Sequence, residues 1–170
     1  MTTAERRLES LIDRFSPQVA ADARVAIEKM RALVPGALEL VYDNYNALVV
    51  GFCPNERASD GIFSIAVFPR HVTLCFLQGA ALPDPDGVLK GSGSVVRTVR
   101  LETQTTIDEP TVQRAIALAL DLARVPIDSN KARRLEIRAV SAKQRPRRPA
   151  PRVARALPAL ARPDAANGHA

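Results

Sequence analysis

Asp43, Tyr45 and Asn46 fall within a polar interruption between two apolar runs, one ending at Tyr42 and the next starting at Ala47. A carboxylate, a phenol and an amide this close could line a pocket for a small ligand. The same Asp and Asn side chains could instead bond their own backbone and build a turn. A second stretch, Lys90-Gly91-Ser92-Gly93-Ser94, precedes Arg97. The backbone N–H groups around Gly91 and Gly93, beside two cations, could cradle a phosphate. A true P-loop would follow a strand, end in Gly-Lys-Ser/Thr and open a helix. This one leads into a strand, so a flexible turn is the competing reading. Arg97 is the residue that fits its pattern least. If Val95, Val99 and Leu101 share a strand face, Arg97 shares it too, and an inward guanidinium must be paired or must line a cleft. Glu39, Asp43 or Asp60 would serve as the partner of a structural pair, and an anion as the occupant of a cleft. The candidate ligand-binding set is therefore Asp43, Tyr45, Asn46, Gly91, Gly93 and Arg97.

Other reactive residue types are sparse. His71 and His169 are the two histidines, one at an expected hairpin turn and one near the last residue. They form no Ser–His–acid, Cys–His or His–His spacing. Cys53 and Cys75 lie in or beside apolar runs and read as small buried hydrophobes. The residues thus indicate no catalytic group, no cofactor and no metal ligand set. Asp84 and Asp86 lack the full calcium-loop pattern and read as a turn.

Charge separates the chain into two parts. Residues 1–128 carry 13 Lys and Arg against 16 Asp and Glu, whereas residues 129–170 carry 11 against 2. The net charge of +6 therefore belongs to the C-terminal part, not to a basic face of the body. From Ala142 onward the chain is rich in Ala, Arg and Pro, which predicts a disordered tail over 142–170. Lys143, Arg145, Arg147 and Arg148 open its basic series and could contact nucleic-acid phosphates without sequence preference. No aromatic residue is interleaved there, so base stacking is not expected from the tail itself. The first residues, Met1 to Asp13, carry charges and no apolar core of a leader. No run of about 18 uncharged apolar residues occurs. Both features predict a cytoplasmic protein with no membrane contact.

The elements that must position these residues follow from periodicity. Leu8, Leu11, Ile12 and Phe15 repeat at helical spacing. Ser16-Pro17 suits a new helix start, a capping hydroxyl followed by a first-turn proline. Val19, Ala20, Ala23, Ala26, Ile27 and Met30 continue a helical stripe that Pro35-Gly36 ends. Four apolar, strand-like runs follow between Leu38 and Leu77, and a long Gly/Pro loop over 78–94 leads to a fifth at Val95–Leu101. A second long helix starts at Pro110, with Val112, Ala115, Ile116 and Ala119 on one face. Arg134-Leu135-Glu136-Ile137-Arg138 alternates charged and apolar residues and predicts a further edge strand. Strands flanked by helices argue for an α+β domain: N-terminal helices, an antiparallel sheet of about five strands, and a C-terminal helix, in two layers.

Several of these segments carry a family resemblance. Pro35-Gly36, Tyr42-Asp43-Asn44-Tyr45-Asn46, Ile65 to Arg70, Asp84-Pro85-Asp86-Gly87, Gly91-Ser92-Gly93, Arg97 and Arg100 stand in this order over residues 16–125. The chain resembles the YdhG-like family of small bacterial domains of unknown function. The resemblance implies a helix–sheet–helix sandwich over about 16–141, preceded by a helix over 1–15. Some members are described as frataxin-like iron chaperones, which implies an acidic ridge on the first helix and strand. Here that ridge is limited to Asp22, Glu28, Glu39 and Asp43, interrupted by Arg24, Lys29 and Arg31.

Three functions are expected in order. The first is a non-catalytic binding module for a small anionic ligand or metal. The second is an interaction protein that touches nucleic acid or another polyanion through its tail. The third is a frataxin-like iron chaperone.

Overall fold

The apolar stripes and alternations form the elements that they predict. A computed structural model describes residues 1–151. Helix α1 spans Thr3–Ile12 and α2 spans Pro17–Leu33. Thr2 and Glu5 form a reciprocal capping box on α1, and the Ser16 hydroxyl accepts from Val19 N at the start of α2. The break at Ser16 lets Leu8, Leu11, Ile12 and Phe15 bury against the same core as the α2 stripe. Strands β1 (Leu38–Asp43), β2 (Leu48–Cys53), β3 (Phe63–Val67), β4 (Val72–Phe76) and β5 (Arg97–Leu101) form an antiparallel meander. Helix α3 covers Pro110–Asp121, and the further edge strand β6 covers Arg134–Val140.

Among the described residues the sheet has six strands, the five expected and the further edge strand, in the order β5-β4-β3-β2-β1-β6. The crossover from β5 to β6, which includes α3, carries the chain from one sheet edge to the other. β6 consequently runs parallel to β1, the one parallel pair in the sheet, with a register shift between Val41 and Tyr42. β5 begins at Arg97, two residues later than the alternation predicts, and Val95 and Val96 are exposed.

All three helices pack on one face of the sheet. Val41, Val50, Phe52, Phe63, Ile65, Val67, Val72, Leu74, Phe76 and Val99 meet the stripes of α1, α2 and α3 in a single apolar cluster. The opposite face carries no helix among the described residues. There, Leu38, Leu40 and Cys53 form a small cluster beside Tyr42. A lattice of charges from β6 and the β2–β3 loop lies at that edge. Arg134 reaches Glu56 at 3.2 Å and Glu136 at 2.6 Å, and Arg138 reaches Glu136 at 3.1 Å. Outward charges of this kind protect an exposed strand edge from pairing with another chain.

The expected disordered tail starts too early. Residues 142–148 are held against the domain, as the site geometry below shows, and residues 152–170 lie outside the described residues. Gly36 closes the other end of β1. Its φ of +81° lies in the left-handed region, and a Cβ there would sit 2.1 Å from Asp128 O. Both the backbone conformation and the close approach of the segment leading to β6 require glycine. Gly36→Ala should therefore lower stability by more than about 1 kcal/mol. Urea denaturation of the variant checks this, and an unchanged midpoint would contradict it.

Candidate functional site

The six residues expected to form one site lie at opposite corners of the sheet. The register runs Asp43–Leu48–Val67–Val72–Leu101 at one end and Glu39–Phe52–Phe63–Phe76–Arg97 at the other. Asp43 thus sits at the far end of its strand from Arg97, and three strands lie between them. Four interstrand spacings alone amount to roughly 19 Å. Asp43 cannot pair with Arg97, and neither can Glu39. Arg97 does point to the helix side, as its parity with Val99 requires. It lies at the end of an edge strand, where its stem covers Gly79 and its guanidinium donates to Gly93 O and to Val96 O at 2.9 Å. Arg97 closes its own loop and contacts no carboxylate among the described residues. Gly91, at φ +123°, and Gly93 are exposed in that loop, which an antiparallel bridge between Lys90 and Thr98 folds back on β5.

Asp43 is 1% exposed and makes a different set of contacts. Its parity with Val41 turns it toward the helices. Arg147 Nη2 donates to one of its oxygens at 2.6 Å, while Arg14 Nη1 at 3.0 Å and Gln144 Nε2 at 2.6 Å donate to the other. The Asn44–Asn46 turn curls beside it. Tyr45 O accepts from Arg145 N at 2.9 Å, and Asn44 O accepts from Arg147 at 2.5 Å. Tyr45 and Asn46 keep their side chains at the surface. Arg147 itself is 4% exposed, and its guanidinium carbon lies 5.5 Å from the centroid of the Phe15 ring. Arg148 donates to Phe15 O at 3.0 Å and to Asp13 O at 3.1 Å. Residues 141–148 therefore form a strap tied to Asp43. Of the four basic residues expected to meet phosphate, Arg147 is spent inside the protein, and Lys143, Arg145 and Arg148 stay exposed. The reason is a buried carboxylate, which needs a cation wherever in the chain one can be found.

Glu39 repeats the arrangement at the other end of β1. It is fully buried and accepts from Arg31 at 2.7 and 2.9 Å and from Arg133 at 3.1 Å. The remaining acids of the expected ridge are also engaged. Glu28 accepts from Arg31 at 2.5 Å, and Asp22 accepts from Gln18 and Gln104, both at 2.9 Å.

A cleft also opens away from all of these residues. It has a volume of about 290 Å³ and opens between the start of β3, the turn over 78–82 and the end of α3. Ile62, Phe76, Leu82, Ala119 and Ala123 supply apolar walls, and Asp60, Gln78 and Arg124 supply polar groups. The Asp60 side chain is 4% exposed and accepts from Arg124 Nη2 at 2.7 Å and Asn55 Nδ2 at 3.0 Å, with Arg57 at 3.9 Å. The Asn55 amide and the Arg124 guanidinium hold its carboxyl below the usual carboxylate range. Two exposed guanidiniums around one buried carboxylate leave surplus positive charge at the rim. Cys53 is buried close by, and burial pushes its thiol up to about 11, so it is inert as a nucleophile at neutral pH. A sequence signal for the cleft lies in the small residues Ala119 on α3 and Ala123 just past its end. Their spacing reads equally as ordinary core.

No protein-family model, curated protein or solved structure matches the chain. Among the described residues, no helix is long and apolar enough to cross a membrane.

The two arginines predict opposite outcomes. Arg147→Met strips Asp43 of a buried partner and should cost about 3–5 kcal/mol. Arg97→Met keeps most of the stem over Gly79 and should cost less than about 1 kcal/mol. Denaturant melts of both variants test the assignment, and equal losses would contradict it.

Proposed function

We propose that this chain is a YdhG-like domain acting as a non-catalytic binding module for a small amphipathic anion, held in the cleft beside α3. The observation that carries this reading is Arg124. It spends one of five N–H donors on Asp60 and makes no other hydrogen bond among the described residues. A carboxylate or phosphate head can take the remaining donors in a planar, paired geometry, while an apolar body rests on Ile62, Phe76 and Leu82. Asp60 acts as a positioning residue, since it fixes the guanidinium at the rim. The anionic ligand class of the sequence reading is kept, and its place moves from the Asp43 and Arg97 loops to this cleft. A role in iron handling finds less support, because Glu39 and Asp43 are each committed to two arginines.

A thermal-shift screen of the full chain against small apolar carboxylates and phosphates tests the proposal. A ligand at one hundred times its dissociation constant should add about 2.7 kcal/mol of stability. Ala123→Phe, which fills the cleft, and Arg124→Met should both abolish the shift, while Arg97→Met should leave it unchanged. A shift that survives Ala123→Phe would place binding elsewhere.

A further inference from the structure

The strap creates a second groove at the sheet end opposite the α3 cleft. The β3–β4 hairpin turns through Pro69 and Arg70, closed by Phe68 N donating to His71 O at 2.9 Å. The Phe68 and His71 rings stack at 4.8 Å between centroids with 20° between planes. Residues 145–150 run past this pair and enclose about 330 Å³ with it, lined by Phe68, His71, Arg70, Arg145, Pro146 and Pro149. Arg70 and Arg145 are exposed, and Phe68 and His71 are half-buried. Burial and the neighbouring Arg100 lower the His71 pKa and so favour the uncharged ring, an aromatic surface.

Further cations lie elsewhere on the strap and on β5. Lys143 and Arg148 are exposed on the strap, and Arg100 sits on β5 beside Glu102. The sequence places no aromatic among these cations. The fold does so by docking the strap across the hairpin. Flat rings beside guanidiniums are what an unpaired base and its phosphates require, since the base offers a π-face and the backbone offers charge. A duplex offers the charge but keeps its bases inside the stack, so the rings gain nothing from it.

We propose that this groove is a single-stranded nucleic-acid site, with one base against the Phe68–His71 pair and the flanking phosphates on Arg70 and Arg145. The strap is then part of the binding surface, and its lock on Asp43 fixes Arg145 opposite the rings. The site is independent of the α3 cleft.

Fluorescence anisotropy of the full chain with a labelled oligothymidine tests the proposal, with a duplex of equal length, heparin and anionic vesicles as competitors. The oligothymidine should bind best, with affinity falling as salt rises. Replacing Arg70 and Arg145 together by Ala should lower the slope of log affinity against log salt by about 1.4. Phe68→Leu keeps the apolar packing and removes the ring, and should weaken binding roughly five- to hundredfold. If Phe68→Leu lowers the melting temperature, His71→Leu reads the same loss from the other ring. Full affinity in a folded ring variant, or duplex, heparin or vesicles competing as well as unlabelled oligothymidine, would overturn the proposal.

Discussion

Two carboxylates buried on the same face of β1 govern this structure. Glu39 and Asp43 sit at the two ends of the strand, on either side of Val41, and all three side chains point toward the helices. Removing a carboxylate from water costs several kcal/mol even after relaxation. Each acid recovers this through two arginines drawn from distant parts of the chain. Glu39 joins Arg31 on α2 to Arg133 ahead of β6, and Asp43 joins Arg14 at the α1–α2 corner to Arg147 on the strap. One strand thereby fixes the helix layer, the parallel edge strand and the C-terminal strap. Apolar packing alone would tolerate small shifts of these elements. Bidentate and multiply bonded guanidiniums do not, because their donors are directional.

The same constraint decides where ligands can act. An acid that already accepts from two guanidiniums has little capacity left for a cation, so the β1 residues most suggestive of chemistry serve structure. Binding capacity moves to places where a charge is held but not saturated. Arg124 is anchored by Asp60 at one nitrogen and keeps its other donors. Arg70 and Arg145 have no acid partner among the described residues. These groups lie on loops and on the strap, around a sheet whose buried acids are already paired.

Local sequence signals were sufficient for the elements. The Ser16-Pro17 start of α2, the Pro110 start of α3, the strand alternations and the charged alternation of β6 each state one secondary structure through spacing alone. Alternation also assigned Arg97 to the helix side correctly. It could not assign a partner, because period two specifies a face and says nothing about position along or across the sheet. The diagonal between Arg97 and Asp43 depends on strand order and register. The strap failed for a different reason. Averaged over 142–170, the composition is that of a solvated segment, yet one cation in it meets a buried acid that cannot be left alone. The usable clue lay in β1 itself. Glu39 and Asp43 share inward parity with Val41, and two inward acids demand more than one inward cation.

The strap also changes the meaning of the basic C-terminal part. A disordered tail presents its charges on a mobile chain, where each contact orders residues that gain little from ordering. Here residues 141–148 are already held by Asp43, Tyr45 O and Phe15 O, independently of any ligand. Arg145 is therefore placed beside Phe68 and His71 before a partner arrives, and the entropy of placing it is charged to folding rather than to binding. A carboxylate that reads as a candidate ligand contact in the sequence thus contributes one step removed. It holds an arginine inside the protein so that its neighbours on the same strap can face outward in fixed positions.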